Sequence, residues 1–257
     1  MKTALTIAGF DPTCGAGLAA DLRTYSAFGF YGLGIASAVT AQNSQGVKRV
    51  APVSPSLIRQ QLVSVLADYK PWAIKIGMLP NSASISAVAD YLAKKDRPFV
   101  VVDPVIKAHR GGQLMHPQSI NTLKARLLPL ATLVTPNIYE AHKLTGLPLS
   151  SISQLEVAAR QLAEECRCAV LIKGWQTADS VLDILYLSGE LRWFQLPRLD
   201  KGDVHGTGCA LSTALAAGLA LGNSLTEAVR IAKEYVWKGI DNALPGARGM
   251  FIFNQSA

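Results

Sequence analysis

Short, almost uninterrupted apolar runs recur along this chain with amphipathic stretches between them, and that alternation limits the fold more than any other feature. Thr3–Ala8, Gly34–Thr40, Trp72–Ile76, Phe99–Asp103, Thr132–Thr135 and Ala169–Lys173 read as strands. They lack the strict apolar–polar alternation of a sheet with one wet face, so burial on both faces, as in a parallel sheet, is expected. Helices are expected near residues 17–28, 56–69, 82–94, 117–127 and 152–165, the second opening on Ser54 as N-cap with Pro55 at the first helical position. Alternation of this kind predicts right-handed βαβ units. After Lys173 the pattern changes. Val181–Leu187 and Leu191–Leu196 flank Ser188-Gly189-Glu190 as a hairpin, and helices follow over about 207–221 and 224–243. The last opens on Ser224 with Glu227 three residues on, a capping-box pattern. The expected fold class is α/β, a three-layer αβα arrangement with a mostly parallel central sheet and helices on both faces. Residues 1–257 contain no linker or repeat and are expected to form a single domain.

A chain of 257 residues with 49% hydrophobic and 17% charged residues has ample material for one core and is far from the composition of disorder. The net charge of +7 is scattered, without a block of five like charges, and reads as an ordinary basic surface rather than a nucleic-acid footprint. Lys2 leads directly into a strand-like run that Asp11 ends, so no export signal is expected and the location reads as cytoplasmic, with Cys14, Cys166, Cys168 and Cys209 reduced. Cys166-Arg167-Cys168 lacks the spacing and second ligand pair of a zinc site. The longest uncharged stretch, Gly206 to Thr226, is rich in Gly, Ser, Thr and Ala and suits a buried helix better than a membrane span.

In open parallel sheets ligands bind beyond the carboxyl ends of the strands. The segments at those ends are polar or glycine-rich here, and the most telling is Gly206-Thr207-Gly208-Cys209. Glycines permit close backbone approach, and amide N–H groups at a helix start can cradle an anion. The same position is expected to lower the pKa of Cys209 and make it a proton acceptor; a glycine-tolerant turn with a buried cysteine is the alternative. His205 could pair with Cys209 for acyl chemistry, or be a plain loop histidine. Gly15-Ala16-Gly17 starts too far beyond its strand for a dinucleotide fingerprint, and no P-loop pattern exists. Asn137 and Glu140 can present oxygens to Mg²⁺ or can cap a helix. Asp103 offers a second carboxylate at the same rim, and Lys173 is either a phosphate ligand or an ordinary strand-end lysine.

Taken in order, these segments resemble the ribokinase-like superfamily and, within it, the hydroxymethylpyrimidine/phosphomethylpyrimidine kinases of thiamine biosynthesis. The resemblance rests on Ala8-Gly9-Phe10-Asp11-Pro12-Thr13-Cys14-Gly15-Ala16-Gly17, Thr40-Ala41-Gln42-Asn43, Lys75-Ile76-Gly77-Met78-Leu79, Asp103-Pro104-Val105, Thr135-Pro136-Asn137-Ile138-Tyr139-Glu140-Ala141, Leu171-Ile172-Lys173-Gly174, His205-Gly206-Thr207-Gly208-Cys209 and Ala232-Lys233-Glu234-Tyr235-Val236. It implies a kinase that uses ATP and Mg²⁺ to phosphorylate 4-amino-5-hydroxymethyl-2-methylpyrimidine and its monophosphate, usually as a homodimer. By the same resemblance Gln42 bonds the aminopyrimidine, and Asp21, Gly9, Met78 and Val105 line the substrate pocket. Gly206, Thr207 and Gly208 with Cys209 form the anion hole, Cys209 standing where sugar kinases carry a catalytic Asp. Asn137, Glu140 and Asp103 organise phosphates and metal, and Lys173 touches the nucleotide. The related alternative is a pyridoxal kinase; a further one is a non-catalytic pyrimidine-binding module on a decayed kinase. The chain departs from the family pattern at Phe10 for Ser, Cys14 for Gly, Ile106-Lys107-Ala108-His109-Arg110-Gly111 for Met-Val-Ala-Lys-Ser-Gly, Trp175-Gln176 after Gly174, and Val204 for Thr, and Val204, Trp175-Gln176 and His109 motivate the latter. His109 stands where the family has a phosphate-facing lysine, and Lys107 or Arg110 is available to replace that charge.

Overall fold

Strand β1 (Thr3–Phe10) is buried along almost its whole length because it has a strand on each side and a helical layer on each face. A computed structural model of the chain describes residues 1–93, 98–108, 111–202 and 204–256. β1 pairs in parallel with β2 (Tyr31–Asn43) on one side and β4 (Ala73–Ile76) on the other. β5 (Phe99–Val102), β6 (Leu133–Val134) and β7 (Ala169–Gln176) continue the parallel set. Antiparallel strands finish both edges: β3 (Gly46–Pro52) beside β2, and β8 (Ser180–Leu187) with β9 (Glu190–Pro197) beyond β7. The order across the nine-stranded sheet is β3-β2-β1-β4-β5-β6-β7-β8-β9.

Since side chains alternate between faces, each strand supplies two cores. Leu5, Ile7, Ile74, Ile76, Val100, Val102, Val134 and Ile172 meet the helices α2 (Pro55–Asp68), α3 (Ser82–Leu92), α5 (Ile138–Thr145) and α6 (Ile152–Cys166). Ala4, Ala73, Val101, Leu133 and Leu171 meet α1 (Gly17–Ala27), α7 (Thr207–Ala220) and α8 (Leu225–Asp241) on the other face. This is the expected αβα sandwich. Every residue of α7 from Ala210 to Ala220 is buried, so the uncharged segment is a core helix. Among the described residues no helix is long and apolar enough to cross a membrane.

Several elements differ from the sequence expectation. β2 runs through Gln42 and Asn43 instead of ending before them, because β3 pairs with it. β3 carries Lys48 and Arg49 and ends at Pro52, a composition that only an edge strand tolerates. The helix expected over 117–127 is a succession of tighter and wider turns. A 3₁₀ turn at Pro117–Ser119 passes into α4 (Ile120–Thr122), then a wide turn at Leu123–Leu127 and another 3₁₀ turn at Leu128–Leu130. The Leu128 N–H reaches back to the Leu123 carbonyl, which brings Leu123, Leu127 and Leu128 together in the core, and Pro129 prevents a regular continuation. At α8 only half the capping box forms. Ser224 accepts from the Glu227 N–H, while the Glu227 carboxylate turns to Arg230. Residue 94, His109, Arg110, Asp203 and residue 257 lie outside the described residues.

The chain ends in a small sheet of β10 (Val204–His205), β12 (Phe251–Ile252) and β11 (Leu244–Pro245), which braces the turn into α7. Phe253, 1% exposed, seats this segment against α8 at Gly239, where an added Cβ would overlap the Phe253 ring and lie 2.9 Å from the Asn254 carbonyl oxygen. Gly→Ala within a helix ordinarily gains ~1 kcal/mol of propensity, whereas overpacking a filled contact costs ~1–3 kcal/mol. Gly239→Ala is therefore expected to be net destabilising, read as a lower denaturation midpoint at an unchanged m-value.

Candidate active site

The carboxyl ends of β1, β4, β5 and β7 open onto a cleft of about 1010 Å³. Gly9, Gln42, Met78, Val105, Asp103, Asn137, Glu140, Lys173 and Gly206, Thr207, Gly208 and Cys209 all line it, so the structure brings the residues singled out in the sequence together. Asp21 is the exception. Its carboxylate is fully buried behind the wall and does not line the cleft.

The turn entering α7 is held by direct backbone packing. Gly206 caps the helix at φ +92, and a side chain there would collide with the Gly15 carbonyl. Gly17, at φ +60, has the Gly9 carbonyl in the same position. The β1–α1 loop and the turn before α7 thus interlock at a distance only glycine permits. Asp11 fastens the two. Its Oδ1 accepts from the Thr13 N–H and hydroxyl, both at 2.8 Å, and its Oδ2 accepts from the Ala16 N–H at 3.0 Å and pairs with His205 Nε2 at 2.9 Å. Burial alone would raise the Asp11 carboxyl, but bonds from His205, Thr13 and Gln42 outweigh it and hold it at about 2. His205 is therefore a clamp on Asp11 rather than a partner for Cys209. Nothing in the sequence pairs Asp11 with His205, since no local pattern joins positions so far apart in the chain.

Cys209 is half-buried in the first turn of α7. The helix start alone argues for an acidic thiol, and the structure reverses that expectation. Burial pushes the thiol up, and the carboxylates of Asp21 and Asp103 add to the rise, while Lys75 and an N–H bond from Gly17 oppose it. Desolvation of an anion wins over a partial helix charge because the sulfur sits among packed side chains.

Three buried lysines stand in the cleft wall, each matched by an aspartate: Lys75 with Asp21 at 2.8 Å, Lys173 with Asp103 at 2.6 Å and Lys233 with Asp183 at 2.7 Å. Burial would strip the Lys173 proton, but Asp103 and Glu140 keep the ammonium above its ordinary value. Helix α7 reaches two of the pairs. The Ser212 hydroxyl donates to Asp103 Oδ2 at 3.3 Å, and the Thr213 hydroxyl donates to Asp21 Oδ1 at 2.9 Å. Asp183 also accepts the Gly174 N–H at 2.7 Å.

Asn137 and Glu140 form a complete capping box at α5: the Asn137 side chain accepts from the Glu140 N–H and the Glu140 carboxylate accepts from the Asn137 N–H, each at 2.9 Å. Burial, and next the Asp103 charge, raise the Glu140 carboxyl to about 7, against the pull of Lys173. Capping is thus realised, and two hard carboxylates, Glu140 and Asp103, also share the rim. Among the described residues no three or more His, Cys, Asp or Glu are grouped so as to hold a metal ion by themselves. That donor set suits Mg²⁺, which takes one or two carboxylates and fills its remaining positions with water and phosphate oxygens. Folded Glu140 keeps its proton to about 7 while the unfolded group releases it near its ordinary 4.5, so the native state binds more protons in between. The group therefore costs stability progressively as pH rises through that window, by roughly 3 kcal/mol in all. Glu140→Gln keeps the cap without the charge, and its advantage over the parent chain is expected to grow by that amount between pH 5 and pH 8 in urea unfolding.

A family model described as phosphomethylpyrimidine kinase matches residues 11–254. Over 247 residues the chain is 42% identical to the hydroxymethylpyrimidine/phosphomethylpyrimidine kinase of Streptomyces coelicolor, covering 96% of this chain and 91% of that one. An ADP complex of Bacillus subtilis pyridoxal kinase superposes with a TM-score of 0.92 at 31% identity, covering 100% of this chain and 98% of that one. The phosphomethylpyrimidine kinase of Clostridium difficile superposes with a TM-score of 0.82 at 34% identity, covering 93% and 100%. These likenesses bear out the ribokinase-like fold and, with the geometry of the cleft, lead to one conclusion: the chain belongs to the phosphomethylpyrimidine kinase family.

Proposed function

We propose that this chain transfers the γ-phosphoryl group of ATP to the hydroxymethyl oxygen of 4-amino-5-hydroxymethyl-2-methylpyrimidine, and then to the phosphate of the product, supplying the pyrimidine half of thiamine diphosphate. The observation that carries this reading is the shared cleft of Gln42 and the Gly206–Cys209 turn. The Gln42 amide has a donor and an acceptor to match a ring nitrogen and its neighbouring amino group. Gly9, Met78 and Val105 flank that end, with the Met78 carbonyl fixed by the Ser37 hydroxyl at 2.5 Å. Asn137, Glu140 and Asp103 mark the phosphate side, where they would hold Mg²⁺, whose charge would neutralise the phosphate oxygens.

Phosphoryl transfer asks a protein mainly for positioning and charge stabilisation. The N–H groups of Gly206 to Cys209, at the start of α7 on the cleft wall, would receive the transferring phosphoryl oxygens, and Lys173 adds its ammonium beside Gly208. The substrate O–H loses its proton to the Cys209 sulfur as its oxygen bonds to phosphorus and the bond to the β-phosphate oxygen breaks. A thiol raised by burial acts in its anionic form, so turnover rises with pH through the alkaline range as Cys209 ionises. The protein works as one domain over 1–257, as a homodimer, in the cytoplasm. The close backbone match to pyridoxal kinase favours pyridoxal as a second, poorer alcohol, and kinship with kinases throughout goes against a non-catalytic module.

A positioned general base typically contributes ~10²–10⁴ in rate. Cys209→Ala is expected to lose turnover on that scale with pyrimidine affinity nearly unchanged, read by coupled ATP-consumption assay and calorimetry; near-normal turnover would remove the role. Mass analysis after incubation with ATP, Mg²⁺ and either alcohol should show the pyrimidine with one and then two added phosphates. A product from pyridoxal but none from the pyrimidine would overturn the substrate assignment.

A further inference from the structure

The phosphoryl transfer described above gives no role to the buried pair of Lys75 and Asp21. Asp21 sits on α1, and its carboxylate accepts Lys75 Nζ on both oxygens, at 3.0 and 2.8 Å, the Thr6 hydroxyl at 2.6 Å and the Thr213 hydroxyl at 2.9 Å. A carboxylate has about four acceptor sites, so Asp21 is saturated and has none to offer a substrate. Both side chains are 0% exposed. Replacing a buried ion pair by apolar groups is often neutral or stabilising, so stability alone does not account for this one.

Its placement does. The Lys75 side chain runs from β4 beneath the turn at Gly77, where an added Cβ would lie 2.7 Å from Nζ, and forms part of the cleft wall with Cys209. Thr213, which grips the Asp21 end, lies on α7 four residues after Cys209 and so on the same helix face. Among the described residues the ammonium has no acceptor besides Asp21. We propose that Lys75 and Asp21 are a positioning pair, an oriented dipole whose ammonium end lies behind Cys209 and stabilises the sulfur anion that takes the acceptor's proton. This rests on the reading of Cys209 as proton acceptor. Every charged group facing the sulfur belongs in the balance: Lys75 from β4 and Lys173 from β7 favour the anion, Asp21 from α1 and Asp103 at the end of β5 oppose it, and the Gly17 N–H bonds it. Of the groups that favour it, Lys75 acts most strongly.

The test reads the sulfur directly. Alkylation of the intact protein by iodoacetamide is followed at the Cys209-containing peptide by mass spectrometry between pH 7 and 10, in the parent chain, Lys75→Met, Asp21→Asn and the double variant. An opposite charge at close range shifts a titration by ~1–3 units. Lys75→Met is expected to move the alkylation profile alkaline by at least about one unit, some tenfold slower at fixed pH. Asp21→Asn leaves the buried ammonium without its acceptor, so that it gives up its proton; this variant and the double variant are both expected to move the profile alkaline, by less than Lys75→Met. Should a single variant fail to fold, the double variant decides, since an unchanged or acid-shifted profile there overturns the proposal. No shift in Lys75→Met, or an acid shift in any of the three variants, overturns it equally. Normal turnover by Cys209→Ala would refute the proton-acceptor reading, leaving the alkylation profiles to judge the pair's action on the sulfur.

Discussion

The cleft exists because two backbone segments far apart in sequence touch with nothing between them. The loop after β1 and the turn before α7 meet at Gly15 and Gly206, and Gly17 folds back on Gly9. A single methyl on either positive-φ glycine would separate β1 from the helix start and dissolve the amide cradle. Asp11 converts this contact into a fixed geometry. Four of its bonds go to atoms of its own loop and of the opposing turn, and a fifth comes from Gln42 at the far side of the pocket. Substrate recognition and phosphate binding are thereby measured from the same carboxylate. An Asp held at about 2 stays ionised throughout the working pH range, so the clamp does not titrate with the chemistry beside it.

Charge in the cleft is organised on a second principle. An isolated buried lysine would surrender its proton and lose its use near a polyphosphate. Lys75 and Lys173 are instead held charged by aspartates on other elements, β4 with α1 and β7 with the end of β5, while Lys233 on α8 is paired with Asp183 on β8. The pairs also staple the helical layers to the sheet, and Ser212 and Thr213 place α7 between two of them. Such fixed dipoles need little rearrangement when negative charge develops in front of them, which is the condition under which electrostatic stabilisation is most effective. The +7 net charge of the chain says nothing of this arrangement, since each cleft lysine is locally balanced.

What the sequence made legible follows from the range of each interaction. Strands buried on both faces announce themselves through composition, so the parallel centre of the sheet and its polar carboxyl ends could be read, and with them nearly all of the cleft lining. β3 escaped notice because an edge strand needs neither apolar faces nor a regular pattern. The turns over 117–130 were smoothed into one helix because Leu123, Leu127 and Leu128 fit a helical spacing until the backbone widens to bury all three. Asp21 and Cys209 were misjudged for a common reason. A helix start or a family motif specifies a residue's neighbours along the chain, whereas Lys75, Thr213 and Asp103 approach from three other elements and settle what the side chain can do.

The departures from the family pattern yield to the same treatment. Val204 replaces a threonine, but its strand pairs through the backbone with β12, opposite Phe251, so the position needs a β-branched shape more than a hydroxyl. Trp175 packs its ring against the core under β7, and only Gln176 beyond it reaches the cleft. Lys107 stands in a small hairpin, bridged to Gln113, with its exposed side chain on the cleft rim two residues before His109. Position 107 therefore supplies a cation at the rim of the cleft. The changes at 204, 175 and 107 therefore leave a strand shape, a core contact and a rim charge in place around the interlock and the three buried pairs.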